Sequence, residues 1–138
     1  MAVDLERFVR AQEGVYEGVL GELRRGRKTG HWIWFVFPQV AGLGRSATSQ
    51  QYAIASLAEA RAYLEHPVLG SRLRECAALV LALPDRSAVE IFGELDAMKL
   101  RTSMTLFHRA APDEPLFDEV LERFFDGRPD PATDERLG

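Results

Sequence analysis

The sequence predicts an all-α protein, a single multihelical domain with a buried aromatic connector. Apolar residues recur three and four positions apart in most segments, which indicates amphipathic helices. Helix-capping residues and glycines divide those segments from one another. Few stretches are rich enough in aromatic and β-branched residues to be strands, and 138 residues with 46% apolar residues fit one core.

Residues 4–25 are predicted to form the first helix, with Asp4 as its N-cap and Gly26 as its end. Apolar residues occupy one side at helical spacing and charged residues occupy much of the other, as in a surface helix with one buried stripe. Gln12 interrupts the apolar stripe. Its amide is therefore expected among core side chains, where it needs a hydrogen-bond partner.

Residues 30–39 are the densest aromatic stretch of the chain and read Gly-His-Trp-Ile-Trp-Phe-Val-Phe-Pro-Gln. This composition favours a buried strand, but a strand needs a partner and the rest of the sequence offers few. We therefore favour a short helix or an extended buried connector. A loop of glycines and small hydroxyl residues follows at residues 42–49.

The second half of the chain divides into helices. The pairs Ser56 with Glu59 and Ser87 with Glu90 match the capping box, so each predicts a helix start. Further helices are predicted from Pro67 to about Leu83, over residues 94–109 and over residues 115–126.

No internal repeat and no linker divides the sequence. We therefore expect one helical domain over residues 1–127. Residues 128–138 contain two prolines and several charges and are expected to be a flexible C-terminal tail.

The charge balance argues against broad nucleic-acid binding. Lys and Arg number 17 against 21 Asp and Glu, which gives a net charge of -4. A basic run at residues 24–28 precedes the aromatic stretch and is open to two interpretations. It could offset the dipole of the preceding helix, or it could guide a phosphorylated ligand.

The sequence favours a cytoplasmic protein. Its N-terminus lacks the pattern of a secretory signal, and no apolar run is long enough to span a membrane. The single cysteine, Cys76, is expected to be a buried core residue. The three histidines are scattered, so we predict no metal site and no cofactor.

The loop over residues 42–49 is the best candidate for an anion site. Gly42 and Gly44 allow backbone amides to face a ligand, and Ser46, Thr48 or Ser49 would cap a helix whose free N–H groups favour negative charge. The loop lacks the Gly-Lys-Ser/Thr ending of a P-loop. The alternative is an ordinary loop with a serine N-cap.

His31, Trp32 and Trp34 are the aromatic-segment candidates. His31 could act as an acid, a base or a hydrogen-bond donor to a ligand whose planar group stacks on either tryptophan. The alternative is a histidine that serves packing alone.

Four further residues complete the candidate set. Lys99 and Ser103 lie four residues apart and so on one helix face, where Lys99 could meet an anion or simply extend to solvent. Gln12 and Gln39 could line the same pocket through their amides.

Several linked motifs resemble those of one known family. They are Gly30-His31-Trp32-x-Trp34-Phe35-x-Phe37-Pro38-Gln39, Gly42-Leu43-Gly44-x-Ser46, Tyr52-x-Ile54, Ala60-x-Ala62-Tyr63-Leu64-x-His66-x-x-Leu69-Gly70 and Lys99-x-x-x-Ser103-Met104-Thr105-Leu106-Phe107. Together they resemble an uncharacterised bacterial family, the DUF1810 domain of unknown function, often mislabelled calpastatin. The resemblance runs from about residue 4 to 127 and implies an all-α, multihelical domain that includes the aromatic segment.

The resemblance implies no established reaction. The calpastatin label does not suit this chain, because such an inhibitor would be long, repetitive and disordered. A weaker association links the family to ADP-ribose metabolism. A pyrophosphate on the glycine loop, an adenine on a tryptophan and a carboxylate assisting glycosidic cleavage would fit that association.

Two functional hypotheses follow. The first is a domain that binds an anionic small molecule, phosphorylated and nucleotide-like or ADP-ribose-like, between the aromatic segment, the glycine loop and the Lys99–Ser103 helix. Whether it also hydrolyses that molecule stays open. The alternative is a structural or protein-interaction module without catalytic activity. The sequence does not predict the oligomeric state.

Overall fold

A computed structural model of the chain describes residues 4–138. Within this range the chain forms helices and no strand. The helices are α1 (Glu6–Gln12), α2 (Tyr16–Arg25), α3 (Ile33–Val36), α4 (Ala47–Gln51), α5 (Leu57–Glu65), α6 (Leu69–Ala82), α7 (Ala88–Phe92), α8 (Glu94–Ala110), α9 (Pro115–Phe125) and α10 (Pro131–Leu137). The prediction of an all-α fold is confirmed.

Helix α8 is the centre of the fold. It packs against α5, α7, α9 and α10, while α6 packs against α2, α5 and α9. Leu100, Met104 and Phe107 of α8 are fully buried, and Phe107 contacts the rings of Tyr63 and Phe117. Because α8 touches so many helices, their apolar faces form one continuous core.

The prediction of a single helix over residues 4–25 is wrong. The helix ends at Gln12 and restarts as α2, because Gly14 adopts a φ of 77°, a left-handed conformation that suits glycine. Asp4 does not cap α1, since the N-cap is Leu5 and no side chain caps it. The break places a surface depression between α1 and α2.

The aromatic segment forms the predicted buried connector. Its middle is the single turn α3, and Ile33, Val36 and Phe37 are enclosed by the core. The chain then becomes extended, and the amide of Ile54 donates to the carbonyl of Gln39 at 2.8 Å. This isolated bridge is too short to make a strand.

The two capping-box predictions have different outcomes. At α7 both reciprocal bonds between Ser87 and Glu90 are present. At α5 the Ser56 hydroxyl caps the helix, but the Glu59 carboxylate accepts from the amide of Ala55 instead. The serine caps were therefore predicted correctly in both places.

The chain after residue 127 is helical where a flexible tail was expected. Helix α10 packs on α8, and Thr133 is fully buried. Asp130 caps α10, and Pro131 lies in its first turn. Together they form a helix-start pattern, but the charges nearby suggested a flexible tail instead. The guanidinium of Arg109 on α8 pairs with Asp134 at 3.0 Å and fastens the helix.

Candidate functional site

The glycine loop encloses little space. Of the three residues predicted as a cap, Ser46 is the one that caps α4, since its Oγ accepts from the amide of Ser49 at 3.1 Å, and the two hydroxyls are 2.8 Å apart. The cleft lined by Gln39, Gly42, Gly44 and Ser49 has a volume of about 110 Å³. Sites for drug-sized ligands usually have about 300–1,000 Å³.

Helix α10 also approaches this loop. A Cβ atom at Gly42 would overlap the guanidinium of Arg136, and Gly42 has a φ of 96°. The Nε of Arg136 donates to the carbonyl of Ala41 at 3.3 Å. Glycine is therefore needed at position 42 for both its conformation and the space above it.

Lys99 and Ser103 share a face of α8 but differ in accessibility. The ammonium of Lys99 lies 3.4 Å from Asp96 Oδ1 and 4.9 Å from the centre of a Trp34 ring. Ser103 is fully buried, and its Oγ, like Trp34 Nε1, has no hydrogen-bond partner in residues 4–138. The charge of Lys99 is thus engaged within the protein.

Asp96 also binds the basic run. The ammonium of Lys28 lies 2.5 Å from Asp96 Oδ2 and 5.0 Å from the centre of a Trp32 ring, and its side chain is 6% exposed. Asp96 therefore pairs with both Lys28 and Lys99, each placed over one tryptophan. This cluster ties the aromatic connector to α8, and sequence reasoning did not find it because the pairing of Lys28 with α8 is long-range.

His31 and Trp32 border a cleft between α2 and the aromatic connector. Its volume is about 300 Å³, and Gly14, just before α2, and Gly18, on α2, have open space where a side chain would begin. His31 is exposed, whereas Trp32 is only 4% exposed. We name this space the aromatic cleft; it is lined by Gly14, Val15, Gly18, Val19, Glu22, Gly30, His31, Trp32 and Phe35.

Glu22 holds one wall of the aromatic cleft. Its Oε1 accepts from the amides of Thr29 and Gly30 at 2.6 and 2.9 Å, and from Trp32 Nε1 at 3.0 Å. Burial alone would raise the pKa of Glu22, but these donors outweigh it and lower the pKa below its ordinary value. An ionised Glu22 therefore anchors the turn that carries His31.

A second cleft lies beyond Gly14. We name it the arginine cleft; its volume is about 290 Å³, and it is lined by Gln12, Glu13, Gly14, Tyr16, Glu17 and Arg72. Since Gly14 lines both clefts, they are neighbours at the break between α1 and α2.

Gln12 is buried at the base of the arginine cleft. Its Nε2 donates to the carbonyl of Phe35 at 2.7 Å and lies 3.3 Å from the Tyr63 hydroxyl, while its Oε1 accepts from Arg72 at 3.2 Å. The expectation that this amide has partners is confirmed. Through Gln12, the arginine cleft is connected to the aromatic connector.

Arg72 shares the arginine cleft with two carboxylates, those of Glu13 and Glu17. Its guanidinium stacks 4.6 Å from the centre of the Tyr16 ring and forms no ion pair within residues 4–138. The Tyr16 hydroxyl donates to Glu75 at 2.5 Å, and burial together with this bond raises the pKa of Tyr16. Tyr16 is therefore a neutral platform for the guanidinium.

Cys76 is next to Tyr16, with its Sγ 3.9 Å from the Tyr16 hydroxyl. Burial raises the pKa of Cys76 to about 12, so its thiol stays protonated. The expectation of a buried core cysteine is confirmed.

The predicted site residues therefore fall into three groups. The first lies at the glycine loop and comprises Gln39, Gly42, Gly44, Ser46 and Ser49. The second lies at α8 and comprises Trp34, Lys99 and Ser103. The third lies around Gly14 and comprises Gln12, His31 and Trp32. Sequence reasoning missed Tyr16 and Arg72 because nothing in the sequence states that α2 packs against α6.

Two absences concern the described part of the chain. None of its helices has the length and apolar character required to cross a bilayer. Between residues 4 and 138, no group of three or more His, Cys, Asp or Glu side chains is placed to ligate a metal ion.

These features describe an all-α protein with two neighbouring clefts at a helix break. The chain belongs to the family described as protein of unknown function (DUF1810), whose model matches residues 2–137. It is similar to the conserved hypothetical protein Rv1873 from Mycobacterium tuberculosis, with 51% identity and a TM-score of 0.96 over 97% of this chain and 96% of that one. Among curated protein sequences, none matches. The resemblance recognised in the sequence is confirmed.

Proposed function

We propose that the aromatic cleft and the arginine cleft form one site for a phosphorylated, nucleotide-like or ADP-ribose-like small molecule. The observation that supports this best is Arg72. Its guanidinium borders the arginine cleft without an ion-pair partner in residues 4–138 and is held between Tyr16 and Gln12. A guanidinium that is held in place and forms no direct salt bridge is suited to bind a phosphate.

The beginning of α2 adds further donors. Val15 is its N-cap and provides no side-chain cap, so the first amides of α2 have no intrahelical acceptor. Gly14 and Val15 both border the aromatic cleft. These amides would support the same anion as Arg72.

The aromatic cleft supplies the complementary half. Phe35, which is partly buried, offers apolar surface to a planar base, and His31 offers a hydrogen bond from an exposed position. Its volume of about 300 Å³ lies at the lower end of the range for small-molecule sites. A ligand with a base and a phosphate would therefore use both clefts.

Glu13 and Glu17 also line the arginine cleft. Their carboxylates suit ribose hydroxyls, which donate hydrogen bonds. If the bound molecule is also cleaved, these are the two carboxylates to substitute first.

Binding can be tested by calorimetric titration with ADP-ribose, NAD and AMP. Arg72→Gln should weaken the binding of a phosphorylated ligand by about 10- to 100-fold, because it removes a charge-assisted hydrogen bond worth about 1.5–3 kcal/mol. Arg128→Gln, which removes an exposed charge elsewhere, should bind as the wild type does. His31→Ala should weaken binding less than Arg72→Gln.

Two results would contradict the proposal. The first is the absence of heat and of a thermal shift with all three ligands at millimolar concentration. The second is unchanged binding in Arg72→Gln when its circular dichroism spectrum matches that of the wild type.

The alternative of a structural or interaction module also has support. Trp32 is enclosed, Lys99 is paired with Asp96, and the Ser46 hydroxyl is engaged by Ser49, so each has a packing role. This alternative gains if no ligand binds.

A further inference from the structure

A groove between α7, α8 and α9 differs from the two clefts described above, because its lining is mainly apolar. Its volume is about 440 Å³. We name it the α8 groove; it is lined by Ser87, Ala88, Val89, Glu94, Ala97, Met98, Arg101, Phe124 and Phe125. None of these residues belongs to the site proposed for a nucleotide-like ligand.

Three exposed apolar residues lie in the lining of this groove or next to it in the chain: Val89 and Met98 line it, and Leu95 directly follows the lining residue Glu94. Leu95 is 79% exposed, Met98 is 55% exposed and Val89 is 50% exposed. These are the three largest exposures among the large hydrophobic residues of the described chain. Clustered apolar exposure of this kind marks an interaction surface.

We propose that the α8 groove binds a second copy of this chain across a two-fold axis. A two-fold interface requires one patch to carry both a protrusion and a complementary depression. Here the exposed Leu95 stands on α8 between the lining residues Glu94 and Met98, while Ala88 and Ala97 contribute only small side chains to the lining. Leu95 of each copy would fill the groove of the other.

The charges on α8 favour this occupant. Glu94 and Arg101 are two helical turns apart, about 10 Å along the axis, on the face that also presents Ala97 and Met98. Neither side chain forms an ion pair in the part of the chain that the structure describes. The Nε and Nη2 of Arg101 donate to the carbonyls of Arg128 and Pro129, which holds the guanidinium in place.

An antiparallel crossing of two α8 helices near Met98 would satisfy both charges. Glu94 of one copy would face Arg101 of the other, and the symmetry would repeat this pair. A parallel arrangement would instead place like charges together. The patch is therefore self-complementary in shape and in charge.

The experiment is sedimentation velocity of the full chain over a protein concentration series. The wild type should change from 15.5 kDa to twice that mass as the concentration rises. Leu95→Glu with Met98→Glu should remain at 15.5 kDa throughout, while Val68→Glu, an exposed apolar residue elsewhere, should dimerise like the wild type. A monomeric wild type, or a dimer unaffected by the double variant, would overturn the proposal.

Charge exchange tests the antiparallel orientation. Glu94→Arg alone and Arg101→Glu alone should each weaken the dimer by more than about tenfold, because like charges then face each other. The double exchange should restore dimerisation. A properly folded double variant that stays monomeric would overturn the two-fold pairing.

Discussion

Gln12 joins three parts of the chain through one amide. It binds the Phe35 carbonyl, approaches the Tyr63 hydroxyl and receives a bond from Arg72. Since Gln12 is 1% exposed, water cannot replace these partners. The sequence predicts the buried amide from its place in an apolar stripe, but the three partners lie 23 to 60 residues away and leave no local pattern.

Gln12→Leu should lower the free energy of unfolding by about 1–3 kcal/mol, because it leaves buried polar groups without a partner. Equilibrium urea denaturation measures this change. Gln51→Leu is the matched control, since Gln51 is exposed and its replacement should change stability by less than about 0.5 kcal/mol. Equal stability of the two variants would contradict the role given to Gln12.

Arg72 is a residue of the candidate site that the sequence could not identify. Nothing in the sequence around it on α6 marks it, and its position depends on contacts with Tyr16 on α2 and Gln12 on α1. Propensity and spacing describe contacts within a helix, whereas this group spans three helices. The sequence could nominate Gln12, His31 and Trp32 as candidates because their residue types are unusual for their positions.

Among the elements, starts and ends that depend on local chemistry were predictable. Ser56 and Ser87 cap α5 and α7, as their spacing from a glutamate indicates. The break at Gly14 was not predicted, because the apolar spacing continues through it and a glycine inside a helix is tolerated. That break is what opens the proposed site.

Helix α10 has an N-cap, Asp130, that the sequence contains but that the prolines and charges of this segment made hard to recognise. The Asp130 carboxylate accepts from the Thr133 amide at 2.9 Å and from its hydroxyl at 2.7 Å. The Asp130 amide donates to Thr105 Oγ1 of α8 at 2.8 Å. Capping and docking of α10 therefore occur at one residue.

Asp130→Ala should destabilise the protein by about 0.5–2 kcal/mol, the usual cost of losing an N-cap. Hydrogen exchange should increase chiefly over residues 131–138, since their helix loses its first bonds. Asp130→Asn is the control and should retain slow exchange, because asparagine also caps helices. Unchanged exchange in Asp130→Ala would show that α10 does not depend on this cap.

For the whole molecule, helix-forming patterns are visible in the sequence but the packing order is not. Helix α8 contacts helices that both precede and follow it, so its central position is set by the combined burial of many faces. The paired clefts follow from that arrangement. This explains why the all-α fold was predictable while the grouping of the site residues was not.

The stability of the whole domain should depend on acidic pH through two carboxylates. Burial works against ionisation of Glu22, but the bonds from Gly30, Thr29 and Trp32 outweigh it, so its pKa is lowered. The amide of Ser87 donates to Glu90 and lowers the pKa of that carboxyl as well. Both groups are therefore more acidic in the folded chain than in the unfolded chain.

A carboxyl whose pKa is lowered by folding stabilises the protein above its ordinary pKa, which is 4.5 for these two residues. This contribution is lost as the pH falls below 4.5 and protons bind the folded state. Glu22→Gln with Glu90→Gln should therefore be less stable than the wild type near neutral pH and lose less stability on acidification. Urea denaturation at about pH 7 and about pH 3 measures the difference. The exposed pair Glu65→Gln with Glu119→Gln should keep the wild-type pH dependence, and the same dependence in both double variants would refute the assignment.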